Sequence, residues 1–257
     1  MAEHKNAVVT GASKGLGLAI ATALHDAGYQ VVAGARTITT ELKQITPFAI
    51  PVDLGTPGGP GHLIDTAIAE LGGIDLLVNN VSGTSGPHLR GFLEVSDDDW
   101  QHALDMTLFS AIRACRAALP SIVERNGHII NIGSVSSRRP TAHLLDLSAA
   151  KAALASLGKT LAEEFGPRGV RVNTISPGPI RTESWTEPGS AGDILANRAG
   201  ISREQLLASL PSRMGMSTGR ITEPAEIAAL VVFLASGSAA NINGADLVID
   251  GGLRKEV

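Results

Sequence analysis

The stretch "VVTGASKGLGLAIATAL" at 8–24 gathers the residues best suited to chemistry. A β-branched apolar run ends in Gly11, Gly15 and Gly17, and a helical pattern begins at once. Glycine lets the backbone turn sharply and come close to a bound group. A helix opening from such a turn offers N–H groups with no partner inside the helix, a ready site for an anion. Strand, turn and helix in this order read as the pyrophosphate cradle of a dinucleotide site. Gly11, Ser13, Lys14, Gly15, Leu16 and Gly17 are its candidate residues. A glycine pattern by itself also describes a turn without a ligand; the strand-to-helix context favours the dinucleotide.

The end of the second strand bears on which dinucleotide. A carboxylate there would bond the adenosine ribose hydroxyls of NAD(H). The chain instead has Ala35 followed by Arg36. Arg36 and Lys14 place two cations where a 2′-phosphate would sit, so charge-assisted hydrogen bonds favour NADP(H) over NAD(H).

These residues need a scaffold, and the hydrophobic pattern supplies one. Short apolar runs at 7–10, 31–34, 48–52, 75–79, 128–132, 171–175 and 246–250 alternate with helical periods at 16–27, 61–71, 97–124, 147–165, 202–209 and 223–235. That alternation is the signature of parallel strands joined by crossover helices. The expected fold is a single-domain α/β doubly wound (Rossmann) arrangement over 1–257, a seven-stranded parallel sheet with helices on both faces. The segment 183–220 differs in composition, with Gly, Ser, Pro and Met clustered, and reads as a lid over the site. Within it, "SREQLLASL" reads as the lid helix, and Trp185, Met214 and Met216 as apolar contacts for a substrate or as packing residues.

Composition narrows the function classes. The 257 residues are 44% hydrophobic and carry 21 basic against 25 acidic side chains, for a net charge of −4. No basic face is implied, which argues against a nucleic-acid partner. Cys115 is the single cysteine. It has no internal disulfide partner and lies in an apolar helical run, as a buried thiol in a reducing compartment would. No leader or membrane-spanning run is read, so the expectation is a soluble, cytoplasmic protein acting on a small molecule.

Taken together, several motifs resemble the short-chain dehydrogenase/reductase family: "TGASKGLG", Asp53-Leu54 after the third strand, "NN" at 79–80, "INIGSVSS", "SAAKAAL", "VRVNTISPGPIRT" and "DGG". The likeness spans essentially the whole chain. It implies that Asp53 and Leu54 border the adenine and that Asn79 supports the cofactor ribose. Pro177 and Gly178 belong to the loop in which Ile180 and Thr182 flank the nicotinamide amide and the phosphates. The resemblance further implies a homotetramer (or dimer), with helices 97–124 and 147–165 at the interface. Bland roles exist for each: Asp53 as a helix cap, Asn79 as a strand end, Pro177-Gly178 as a turn.

The family's chemistry uses a serine, a tyrosine and a lysine, with a supporting asparagine. Tyrosine and lysine stand four apart because a helix brings i and i+4 to one face, where the ammonium lowers the phenol pKa. By this resemblance the catalytic serine is Ser134 and the lysine is Lys151, which also binds the nicotinamide ribose. The tyrosine position holds Leu147, and the asparagine position holds Thr107. The only tyrosine, Tyr29, lies at the start of the second strand. Leucine cannot protonate the alkoxide that hydride transfer leaves, a role that typically contributes about 10²–10⁴ in rate. Three functions follow. An NADP(H)-dependent oxidoreductase would take its proton from Ser134, from water held by Lys151, from His143 or Asp146, or from the substrate. A silent protein would bind NADP(H) as a sensor or scaffold. A non-redox enzyme would carry out dehydration, cyclisation or isomerisation in the same pocket. Asp146 reads most simply as a helix N-cap.

Overall fold

In the computed structural model, residues 4–83, 90–142 and 144–256 are described. Seven parallel strands form one sheet: β1 (Asn6–Thr10), β2 (Gln30–Ala35), β3 (Phe48–Pro51), β4 (Leu76–Asn79), β5 (His128–Ile132), β6 (Arg171–Pro177) and β7 (Asp246–Ile249). Their order is β3-β2-β1-β4-β5-β6-β7. The chain winds outward from β1 in one direction, then returns to pair β4 with the other side of β1, with Val8 opposite both Val32 and Leu77. That reversal opens a crevice beyond the carboxyl ends of β1 and β4.

The connections are α1 (Gly15–Asp26), α2 (Thr40–Ile45), α3 (Gly59–Leu71), α4 (Asp97–Leu104), α5 (Ser110–Glu124) and α6 (Leu145–Phe165), followed by α7 (Glu183–Thr186), α8 (Ala191–Ala199), α9 (Arg203–Met214) and α10 (Pro224–Ala235). Adjacent residues such as Leu76 and Leu77, or Ile129 and Ile130, are all buried, because both faces of a parallel sheet are covered. On one face α1 packs against α10 over Val9, Ile20, Leu24, Val231 and Leu234. On the other, α3 packs against α5 over Val8, Leu63, Ile64, Ala118 and Ile122. Each such aliphatic side chain contributes roughly 1.5–3 kcal/mol on burial.

The helix expected over 97–124 runs continuously from Asp97 to Glu124, with a π-helical turn, Asp105–Phe109, between its α4 and α5 parts. This run is long and apolar enough to cross a membrane by length and composition, with a mean hydropathy of 1.2. Its Ala111, Ala114, Cys115, Ala118 and Ile122 face are instead buried inside the protein. Hydrophobic periodicity did not reveal α2, α7 or α8, each of which is short and polar. α8 starts where the Ser190 hydroxyl accepts the Asp193 N–H, and α9 from a reciprocal Ser202–Gln205 capping box.

His128 at the start of β5 is buried, and its Nε2 lies 3.0 Å from Asn173 Nδ2. Burial, with the Arg171 charge second, pushes its pKa down to about 3.

Candidate active site

The glycine turn is assembled by backbone contacts before any ligand is considered. Gly11, with φ of +69°, donates its N–H to the Gly34 carbonyl at 2.8 Å, so the turn is bonded to β2 as the chain leaves β1. Gly15, with φ of +53°, opens α1; Lys14 before it makes no side-chain capping bond. Gly17 has no room for a side chain: a Cβ there would overlap the Gly11 carbonyl oxygen and stand 2.6 Å from Asn80 Nδ2. Asn80 locks the turn to the end of β4, donating through Nδ2 to the carbonyls of Thr10 (2.9 Å) and Gly11 (3.1 Å). Thr39 Oγ1 donates to the Ser13 carbonyl from the start of α2.

A cleft of about 670 Å³ runs from this turn across the carboxyl edge of the sheet. At one end its walls include Ala35, Arg36, Thr37 and Thr39 with Val52 and Leu54; at the other they include Met106, Ser134, Leu147, Lys151 and Pro177. Lys14 and Arg36 are exposed and make no ion pair among the described residues. The donor set suits an elongated anionic nucleotide: first-turn N–H groups of α1, two uncommitted cations, and hydroxyls from Ser13, Thr37, Thr39 and Thr182.

At the far end, Lys151 is 3% exposed and its Nζ donates to the Ile132 carbonyl at 2.5 Å. Burial lowers its pKa to about 8, within reach of neutral pH. Ser134 directly follows β5 through Gly133, and its Oγ accepts from the Ser136 N–H (3.1 Å) and hydroxyl (2.9 Å). That leaves the Ser134 proton available to a group in the cleft. Leu147, one helical turn before Lys151 on α6, turns a half-buried isobutyl group onto the same cleft. Tyr29 stands at the opposite end of the strands, donating its hydroxyl to the Ala235 carbonyl at 3.2 Å.

Comparison with known proteins agrees with this geometry. Residues 11–254 match the family described as enoyl-(acyl carrier protein) reductase. The chain is 33% identical over 265 residues to 3beta-hydroxysteroid dehydrogenase 1 of Eggerthella lenta, covering 97% of this chain and 93% of that one. L-sorbose reductase from Gluconobacter frateurii, solved with NADPH and L-sorbose, superposes with a TM-score of 0.90 at 30% identity, over 99% of this chain and 98% of that one. The NADPH-bound short chain oxidoreductase from Pseudomonas aeruginosa PAO1, described as containing an atypical catalytic center, gives 0.84 at 30% identity over 98% of each chain. The chain belongs to the short-chain dehydrogenase/reductase family. It is an oxidoreductase of short-chain dehydrogenase/reductase type.

Most of the residues expected from the short-chain dehydrogenase/reductase resemblance meet in the cleft: Gly11, Ser13, Lys14, Gly15, Leu16, Gly17, Arg36, Leu54, Ser134, Lys151, Pro177, Gly178, Ile180 and Thr182 all line it. Two do not. Asn79 is buried on the other side of β4, donating to Asn131 Oδ1 at 2.9 Å and to Cys115 Sγ at 3.3 Å, so the expected ribose contact is corrected to a sheet-internal one. Strand alternation explains it: neighbours point to opposite faces, and Asn80, the second residue of "NN", is the one at the cleft. The Asp53 carboxylate accepts the Gly55 N–H at 2.9 Å, and Leu54 rather than Asp53 lines the wall.

Thr107 lies fully buried on the π-helical turn, with its hydroxyl 3.4 Å from the Gly83 N–H, outside the cleft wall. Asp146 is the second residue of α6, its Oδ1 accepting the Leu147 N–H at 2.8 Å; it too is absent from the wall. His143 lies outside the described residues. Trp185, Met214 and Met216 pack with Val135, Leu210, Ile221 and Leu253 in a separate apolar cluster and do not line the cleft wall. Sequence reading missed Glu183, Ser184 and Met106 among the lining residues. Glu183 and Ser184 directly follow "PGPIRT", and no periodicity marks them.

Proposed function

We propose that this short-chain dehydrogenase/reductase transfers a hydride between NADP(H) and a carbonyl or hydroxyl of a small apolar or activated substrate, with Leu147 where the family uses a tyrosine acid. The observation that carries this reading is the wall shared by the glycine turn, Arg36, Ser134, Lys151 and Leu147. When bound, NADPH supplies the hydride. The α1 turn and Thr182 would hold the pyrophosphate and Lys14 and Arg36 the 2′-phosphate, while Leu54 would border the adenine and Ile180 the nicotinamide amide. Lys151 would hold the ribose beside it. The relatives solved with NADPH support the phosphorylated cofactor.

The chain's own residues then handle the substrate oxygen. Ser134 donates a hydrogen bond to it, with Ser136 fixing the direction of the Ser134 lone pairs. Hydride addition leaves an alkoxide whose negative charge is stabilised by Ser134 and by the buried Lys151 ammonium. The proton comes from water oriented by Lys151, whose pKa of about 8 makes it a competent relay, and Lys151 regains it from solvent. Segment 183–220 acts as the lid. Leu147 makes this end of the cleft drier, which suits a substrate that is apolar or carries its own acidic hydroxyl. The enzyme assembles as a homotetramer; on its surface Phe233 of α10 and Val248 of the edge strand β7 are exposed apolar groups that a partner would cover.

The test is to incubate the protein with NADPH and a panel of quinones, diketones and phenolic ketones while following NADPH absorbance. Turnover of at least one class is expected. A protein that binds NADPH yet oxidises it no faster than background on every member is the silent binder that the loss of the phenol would also produce.

A further inference from the structure

The glycine turn is already in contact with an anion, and that anion belongs to the protein. Glu183 Oε1 accepts the Gly15 N–H at 3.2 Å, from a carboxylate 168 positions away in the chain. Its other oxygen stands 2.8 Å from where a Cβ on Gly15 would be, so the carboxylate lies flat against the opening of α1. Lys14, Gly15, Gly17, Thr182 and Glu183 all line the same cleft. Glu183 makes no ion pair among the described residues. A lone carboxylate on the first N–H of a helix takes the place a bound phosphate would take, since both are drawn by the same donors and the same end of the helix dipole.

We propose that Glu183 sets the cofactor affinity of this enzyme by occupying the pyrophosphate place on the glycine turn and yielding it when the dinucleotide enters. The inference rests on the NADP(H) reading of the cleft. Two anions cannot share the Gly15 N–H, and like charges in contact repel, so entry of the pyrophosphate swings Glu183 away. Glu183 is also the first residue of α7, which packs on α8, and α8 on α9. Its release therefore moves the base of segment 183–220, and cofactor entry resets the wall that a substrate meets next.

The experiment is calorimetric titration of the full-length protein with NADP+ and, separately, with inorganic pyrophosphate, for the wild type, Glu183→Gln and Glu183→Ala. Removing a charged competitor worth a typical helix-terminus interaction tightens both ligands about fivefold in each variant. Hydrogen exchange without ligand should also quicken at the Gly15 amide in Glu183→Ala, where its acceptor is gone. Unchanged or weaker NADP+ affinity in both variants overturns the competition and makes Glu183 a plain helix cap. Pyrophosphate that tightens while NADP+ is taken up by none of the three proteins overturns the NADP(H) reading itself, and the inference with it.

Discussion

Replacing Leu147 with tyrosine tests the chemistry most directly, because the rest of the site is in place to use a phenol. Leu147 is half-buried on the wall of a cleft of about 670 Å³, so the larger ring extends into open space. The strain of overpacking, about 1–3 kcal/mol in closed cores, should fall at the low end here. Lys151 follows one turn later with its Nζ anchored on the Ile132 carbonyl, so its orientation does not depend on residue 147. An ammonium about 5 Å from a phenolate stabilises it by roughly 3 kcal/mol at an effective dielectric constant of about 20. Ser134 completes the set. Leu147→Tyr should therefore gain the general-acid contribution of about 10²–10⁴ in kcat for a simple aliphatic or aryl ketone, or roughly 3–5 kcal/mol of barrier. Stopped-flow NADPH oxidation under single-turnover conditions separates this step from product release. A variant that folds, binds NADPH as tightly as the wild type and reduces ketones no faster would refute the reasoning, because Leu147 would then not stand at the proton-delivery position.

Three further outcomes follow from the same geometry. In reduction, kcat/KM should be level below pH 8 and fall with one proton as pH rises through about 8, because Lys151 is the protonated relay and burial has lowered its pKa to that value; a profile flat to pH 10 excludes it. Arg36→Ala should weaken NADP(H) about tenfold, as loss of a charge-assisted hydrogen bond does, while leaving NAD(H) nearly unchanged when the two are compared by fluorescence titration. Gly17→Ala should abolish binding of both cofactors and lower the thermal midpoint, since its methyl group would overlap the Gly11 carbonyl; an intact, binding-competent variant would show that the turn can relax.

The fold was legible because periodicity and topology carry it. All seven strands stand where the β-branched runs place them, to within two residues at each end, and the long helices follow the apolar period. Short helices were not legible, since α2 and α8 start from hydroxyl caps and α7 is a single turn packed on α8, none of them marked by an apolar stripe. In the site, the glycine turn could be read because the steric demand is local: Gly11 and Gly15 need positive φ and Gly17 needs an absent Cβ. Asn79 and Asn80 could not be assigned from their types, because which of two neighbouring amides faces the cleft depends on strand phase. Glu183 was hidden for a different reason. Its partner lies 168 residues away, a pairing only the folded chain creates.

His128 and Ser134 belong to the two ends of one strand and its continuation, and this ties catalysis to acidity. Between about pH 3 and 6.5, a buried imidazole with its pKa at about 3 takes up a proton when the chain unfolds, where its value is 6.5. The stability it contributes is complete above about 6.5 and erodes as pH falls toward 3, by about 1.4 kcal/mol for each pH unit in that window. Proton uptake by His128 is thus coupled to opening of the β5–β6 pairing, and β5 also carries the Ile132 carbonyl that anchors Lys151. Mild acid should thus disable the enzyme from the rim of the sheet farthest from its substrate.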